Sequence, residues 1–240
     1  GEPLIRRGVH ELFEGLGALA GLNSLALTTN GSQLAESGHA LRDAGVNSIN
    51  ISLDSLQAER FKAITRVGDL NTVLRGIDRA VECGFDRIRL NSVILDGLNR
   101  DEVLPLTYYA LEKGIHIAFI EEMPLGQVNV GGKPLAYVSS DTLQKELAER
   151  FTLVPMTASD TAGPARDFLI AGSQTQVGFI SPHSHNFCAQ CNRLRISAEG
   201  RLLMCLGNEE SIDLRGLLRT GSTDEEIKTT IIESLSIKPE

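Results

Sequence analysis

Apolar residues recur along the first half of the chain in two alternating rhythms. In "VHELFEGLGALAGL" they return at helical spacing and mark one face, whereas "SLALTTNG", "SINISLD", "RIRLNSVIL" and "IHIAFIEEM" read as short β-rich runs that end in polar residues. Three of these helix-to-strand passages cross a glycine: "ALRDAG" ends at Gly45, "AVECG" at Gly84 and "ALEKG" at Gly114. Glycine just past a helix adopts the left-handed cap that other residues reach only at a cost, so each should close its helix. Helices alternating with short apolar strands predict parallel strands joined by right-handed crossovers. The strand ends carry Thr28, Thr29, Asn30, Ser52, Asp54, Asn91, Glu121 and Glu122. Parallel α/β folds bind ligands at the carboxyl ends of their strands, so this set is expected to face a site.

From Pro124 to Pro134 the chain becomes Gly-rich and loses its periodicity, which marks a loop or boundary. Ser140 or Asp141 is expected to cap a helix running to Arg150. Short strands follow around "FTLVPM", "RDFLIA" and "TQVGFISP". The last helix opens with a capping box, Thr223 to Glu226, and should bury Ile227, Ile231 and Leu235. Three regions result: a partial β/α barrel over 1–123, a connecting segment with a helix and short strands over 124–185, and a cysteine-bearing region over 186–240.

Cysteine usage adds chemistry to that outline. The chain has 4 cysteines, three of them in "NFCAQCNRLRISAEGRLLMC", a distribution too lopsided for a disulfide framework and better suited to a metal site in a reducing compartment. Cys83, at a helix end, reads as a packing residue. Strand-like alternation in "NRLRISAEGRLLM" breaks at Ser197-Ala198-Glu199-Gly200 and resumes, which predicts a β-hairpin. Folded on that turn, Cys205 comes roughly opposite Asn192 to Leu194, near Cys188 and Cys191. Period-two geometry puts Cys191, Arg193 and Arg195 on one face and Leu194 and Ile196 on the other. The guanidinium forks suit paired hydrogen bonds to phosphate oxygens. Spacing alone favours structural zinc, with His185 as a fourth ligand. An iron-sulfur cluster held by three thiolates, with one iron open to an exogenous ligand, fits the same cysteines.

Charge and hydropathy narrow the function classes. Over 240 residues the formal net charge is −8 and the pI near 5.2, which argues against a broad nucleic-acid footprint. No apolar run approaches a membrane span and no series resembles a signal peptide, so the expected compartment is the cytoplasm.

"GEPL", "LTTNG", "NISLD", "FIEEMPLG" and "FCAQCNRLR" occur in the order found in the GTP 3′,8-cyclase family, and the chain resembles that family over essentially its whole length. These are radical S-adenosylmethionine lyases that open molybdenum cofactor biosynthesis. The resemblance implies an incomplete parallel β/α barrel of the radical S-adenosylmethionine type followed by a smaller α+β auxiliary-cluster domain. It implies that Gly1, Ser52 and Met123 contact S-adenosylmethionine, and that Thr28, Arg89, Arg193, Leu194 and Arg195 contact GTP. Cys188, Cys191 and Cys205 would bind an auxiliary 4Fe-4S cluster whose open iron receives the guanine end. The implied reaction converts GTP to (8S)-3′,8-cyclo-7,8-dihydroguanosine 5′-triphosphate. A 5′-deoxyadenosyl radical removes hydrogen from the ribose 3′ carbon, which then attacks purine C8.

The resemblance also implies features outside the chain: a C-x3-C-x2-C triplet for a second 4Fe-4S cluster upstream of Gly1, and a tail ending in a glycine pair beyond Glu240. The chain is thus expected to be a fragment that does not turn over alone. Implied partners are GTP and a downstream cyclic pyranopterin monophosphate synthase; a homodimer is compatible, the electron donor is unspecified, and neither nucleic acid nor membrane is involved. Two positions depart from the family, which usually has lysine at Arg89 and often arginine at Ala118. A non-catalytic zinc-stabilised α/β binding domain and a radical enzyme acting on another substrate are the alternative readings.

Overall fold

Strand-forming segments that bury one face need a layer of helices to cover it, and the helix-then-strand rhythm supplies both. A computed structural model describes residues 1–123, 129–130, 133–134, 136–157, 164–185, 193–205 and 211–238. The chain divides into two units, Gly1–His185 and Asn186–Glu240.

The first unit contains, in order, α1 (Val9–Gly17), β1 (Ala26–Thr29), α2 (Leu34–Asp43), β2 (Ser48–Ser52), α3 (Ala58–Thr65), α4 (Leu70–Glu82), β3 (Arg87–Asp96), α5 (Val103–Lys113), β4 (His116–Glu121), β5 (Asn129–Val130), β6 (Lys133–Pro134), β7 (Ala136–Tyr137), α6 (Ser140–Ala148), β8 (Leu153–Pro155), β9 (Ala165–Ile170) and β10 (Gln176–Ile180). An eight-stranded sheet runs β1-β2-β3-β4-β10-β9-β8, with β7 paired to β3. Strands β1 to β4 pair in parallel succession, as the rhythm predicts, and β10 pairs parallel with β4. Strands β9 and β8 continue the same sheet antiparallel. Gly45, Gly84 and Gly114 all take positive φ, between 65° and 92°.

One face of this sheet is apolar. Leu27, Ile49, Ile51, Leu90, Ile117, Phe119, Val177 and Phe179 are buried there with Leu34 and Leu41 of α2, Val73 and Ile77 of α4, Leu106 of α5, and Leu143 and Leu147 of α6. Each such side chain contributes about 1.5–3 kcal/mol of burial free energy. Cys83 packs at the margin of this core, in the role expected of it.

Helix α6 is capped one residue earlier than its sequence predicts. Ser139 accepts from the Thr142 amide, while Ser140 is buried and spends its amide on the Glu121 carboxylate. The helix ends at Ala148, short of Arg150.

The second unit has β11 (Arg195–Ile196), β12 (Arg201–Leu203), β13 (Ser211–Asp213), α7 (Leu214–Arg219) and α8 (Asp224–Ser234). The predicted hairpin is present: β11 and β12 are antiparallel and joined by the 197–200 turn, where Gly200 has φ 78°. The capping box of Thr223 and Glu226 opens α8. Leu202, Met204 and Leu214 form the core, with Ile227 and Ile231 against it. One apolar position differs from expectation. Leu235 lies beyond the end of α8 and is exposed. Leu194 and Ile196 are exposed on or beside β11. Among the described residues β11 is an edge strand with β12 beside it.

Candidate active site

Parallel sheets covered by helices on both sides read as unbroken apolar strands. The second face of this sheet is instead polar over two rows, where β1 to β4 place Thr28, Asn50, Ser52, Arg89, Asn91, His116 and Ala118 at alternate positions. Strand registers align these residues in rows. Thr28, Asn50, Arg89 and His116 are successive partners across β1, β2, β3 and β4. Two residues further along, Ser52, Asn91, Ala118, Gly178 and Asp167 form the next row across β2, β3, β4, β10 and β9. Rows two residues apart are separated by about 7 Å.

Arg89 is 6% exposed. Its Nη2 donates to Asp167 Oδ1 at 2.7 Å, and Arg87 lies 3.4 Å from Asp167 Oδ2. Arg89 Nε and Asn91 Oδ1 are buried and find no hydrogen-bond partner among the described residues. Unpaired buried polar atoms of this kind cost free energy unless a ligand completes them. His116 accepts from the Gln176 amide through Nδ1. Burial, reinforced by the charges of Arg87 and Arg89, pushes its imidazole down to about 4, so it is neutral at physiological pH.

At the carboxyl rim, Glu2 ties the Gly1-Glu2-Pro3 turn to the end of β1. Its carboxylate accepts from Thr29 Oγ1 at 2.8 Å, from the Asn30 amide at 2.6 Å and from the Leu4 amide at 3.0 Å. Gly1 and Ser52 are exposed at the ends of neighbouring segments, and Met123 lies two residues beyond β4, partly exposed. Gly1, Ser52 and Met123 thus lie at the carboxyl-terminal ends of β1, β2 and β4, while Thr28 and Arg89 share the lower row.

The strand-end set divides. Glu121 points to the helix-covered side, where it accepts from the amides of Ser140, His183 and Ser184 and from the Ser184 hydroxyl. Thr29 is buried and engaged with Glu2. Asp54 accepts from the Val93 amide at 2.8 Å, and the amide group of Asn99 bridges Asp54 O to Val93 O. These three residues shape the rim and do not line the polar face.

Burial pushes the Asp54 carboxyl up to about 6, offset only in part by the Val93 hydrogen bond. Its ionisation therefore weakens the fold as pH rises from 3.8 through 6. Asp54→Asn keeps an acceptor for Val93 and should raise stability at pH 7.5 by about 2 kcal/mol, with little change at pH 3.5. Urea unfolding at the two pH values reads the difference, and equal gains at both would contradict the burial origin.

In the second unit, the β11–β12 register, continued two steps, sets Cys205 across from Arg193. Arg193, Leu194 and Arg195 are exposed, and Lys238 donates to the Arg193 carbonyl at 2.9 Å. Cys188 and Cys191 lie outside the described residues. Among the described residues no three His, Cys, Asp or Glu side chains converge on a metal position. His185 hydrogen-bonds through Nε2 to Asp141 at 3.0 Å. A partly buried thiol opposite Arg193, close in sequence to two further cysteines, is a donor set suited to a thiolate-held cluster.

Sequence reasoning passed over Arg87, Asp167 and Glu2. The signal for Arg87 was present in "RIRLN", where alternating cations in a strand flanked by parallel neighbours contradict two-sided burial. Asp167 has no local signal, because it meets Arg89 only through the β4–β10–β9 order.

A family model described as Radical SAM superfamily matches residues 1–110, and one described as Molybdenum Cofactor Synthesis C matches residues 115–240. The chain is 52% identical over 241 aligned positions to the GTP 3′,8-cyclase of Saccharophagus degradans, covering 100% of this chain and 72% of the relative. Identity and coverage are the same for the GTP 3′,8-cyclase of Ectopseudomonas mendocina. Among solved structures, SuiB of Streptococcus suis superposes with a TM-score of 0.60 at 13% identity, over 93% of this chain and 54% of SuiB. SuiB bound to S-adenosylmethionine gives 0.57 at 14% identity, over 93% and 53%. At these identities the likeness concerns the fold, and the chain spans about half of SuiB. No described helix is long and apolar enough to cross a membrane.

Proposed function

Because the chain belongs to the GTP 3′,8-cyclase family within the radical S-adenosylmethionine superfamily, we propose that it binds and orients GTP for 3′,8-cyclisation, the first step of molybdenum cofactor biosynthesis. The observation that carries this reading is the polar face: a buried arginine and a partly buried asparagine, each with a buried atom unpartnered among the described residues, in a sheet whose other face is mainly apolar. Thr28 and Arg89 contact the nucleotide from one row. Gly1, Ser52 and Met123 contact S-adenosylmethionine at the carboxyl rim, with Gly1 held by the Glu2 clamp. In the second unit Arg193, Leu194 and Arg195 contact GTP, and Cys188, Cys191 and Cys205 hold the auxiliary 4Fe-4S cluster. When bound, the clusters and S-adenosylmethionine supply the one-electron chemistry. The protein fixes orientation and excludes water from the reacting atoms. A cyclic pyranopterin monophosphate synthase would take the product.

Anaerobic reconstitution with iron and sulfide should give a broad visible absorbance that Cys188→Ala abolishes. Tight stoichiometric zinc that depends on His185 would overturn the assignment. Arg193→Gln with Arg195→Gln should weaken GTP about 10-fold more than guanosine, as loss of paired phosphate contacts requires. Equal weakening would remove the polyphosphate role.

A further inference from the structure

Arg87 and Arg89 occupy alternate positions of β3 and therefore project from the same face of the sheet. Two guanidiniums held this close repel one another, and the effect is visible in Arg87, where burial and then the charge of Arg89 weaken the hold on its proton. One carboxylate lies between them. Asp167 gives Oδ1 to Arg89 at 2.7 Å and Oδ2 to Arg87 at 3.4 Å.

Asp167 can lie over the sheet only because its cross-strand partner is glycine. A Cβ on Gly178 would stand 2.4 Å from Asp167 Oδ1, and 3.5 Å from the small Ala118 side chain next in the row. With His116 neutral, the group of two arginines and one carboxylate keeps one net positive charge. A purely structural ion pair would be expected to satisfy its buried donors, yet Arg89 Nε has no partner among the described residues.

We propose that Asp167 is an internal counter-ion: it holds Arg87 and Arg89 across the polar face, in the seat left open by Gly178, and yields Arg89 to the anionic phosphate group of the ligand. This rests on the reading of Arg89 as a nucleotide contact and adds Arg87 as a second cation of the same subsite. Asp167 competes with the ligand for Arg89, so it sets how strongly an oligophosphate is held and is a positioning residue rather than a catalytic one.

Titrating the anaerobically reconstituted holoenzyme with inorganic tripolyphosphate, GTP and guanosine tests the proposal. Asp167→Asn, which keeps the shape and an acceptor but removes the competing charge, should bind tripolyphosphate and GTP about 10-fold tighter, as loss of a neighbouring like charge requires. Arg87→Gln should bind both about 10-fold more weakly. Guanosine binding should stay within about 2-fold in each variant, since a ligand without phosphate does not meet this charge. Asp167→Ala reads the same way if the Asn variant does not fold. Unchanged or weaker tripolyphosphate binding in the folded Asp167 variants overturns the counter-ion role. Equal affinity of the unmodified holoenzyme for GTP and guanosine would remove the underlying reading of Arg89 as well.

Discussion

Replacing Glu121 by glutamine should destabilise the first unit by about 3 kcal/mol at neutral pH and lower its thermal midpoint by roughly 10 °C. Glu121 is buried at the end of β4, and its two oxygens accept from three backbone amides and one hydroxyl drawn from the start of α6 and the 181–184 turn. Burial alone would raise this carboxyl, but the Ser184 hydroxyl and the Ser140, Ser184 and His183 amides outweigh it and hold it down to about 2. Glutamine offers one acceptor oxygen and turns a second donor toward amides that need an acceptor. The sign of the pH dependence follows from the lowered value. The stabilisation is present above the ordinary carboxylate value of 4.5 and is lost as pH falls towards 2. Denaturant unfolding from pH 6 to pH 2 should therefore show a steeper acid loss for the unmodified protein than for Glu121→Gln. Parallel acid slopes would mean that the charge of Glu121 does not hold the turn.

Glu2→Ala should leave global stability within about 1 kcal/mol while weakening S-adenosylmethionine about 100-fold in the reconstituted enzyme. The Glu2 carboxylate anchors the Gly1 turn to Thr29 and Asn30, and the turn buries little apolar surface of its own. Without the clamp, about three residues must be ordered on binding at about 1–2 kcal/mol each, offset by residual contacts. Equilibrium binding of S-adenosylmethionine, together with a melting curve, separates the two effects. Glu2→Gln keeps one acceptor and should recover part of the affinity. A loss of affinity that merely tracked a fall in melting temperature would show Glu2 to be structural only.

Much of the fold was legible locally. The three glycine caps, the 197–200 turn and the capping box of α8 each rest on a few adjacent residues whose backbone preferences do not depend on the rest of the chain. Parallel pairing of β1 to β4 followed from the alternation of helix and strand. The site was legible in part. Thr28 and Arg89 share a row, and Gly1, Ser52 and Met123 lie at strand ends, positions that follow from strand order and period, while their contacts with ligands are part of the proposal. Glu121 carries the same polar strand-end signal and faces the other way, since an odd or even place in the strand decides the face and the length of β4 is set by its partners.

The amino-acid sequence by itself determined the helix-then-strand order of the first half, the glycine caps, the capping box of α8, the 197–200 turn and the family to which the chain belongs. Only the tertiary structure decided that β10 and β9 extend the sheet beside β4, that Asp167 thereby meets Arg89 from 78 residues away, and that the Glu121 carboxylate closes the turn after β10. Local preferences act through neighbouring dihedrals and side-chain period, whereas a buried charge is satisfied by whichever donor or acceptor the packed sheet brings to it.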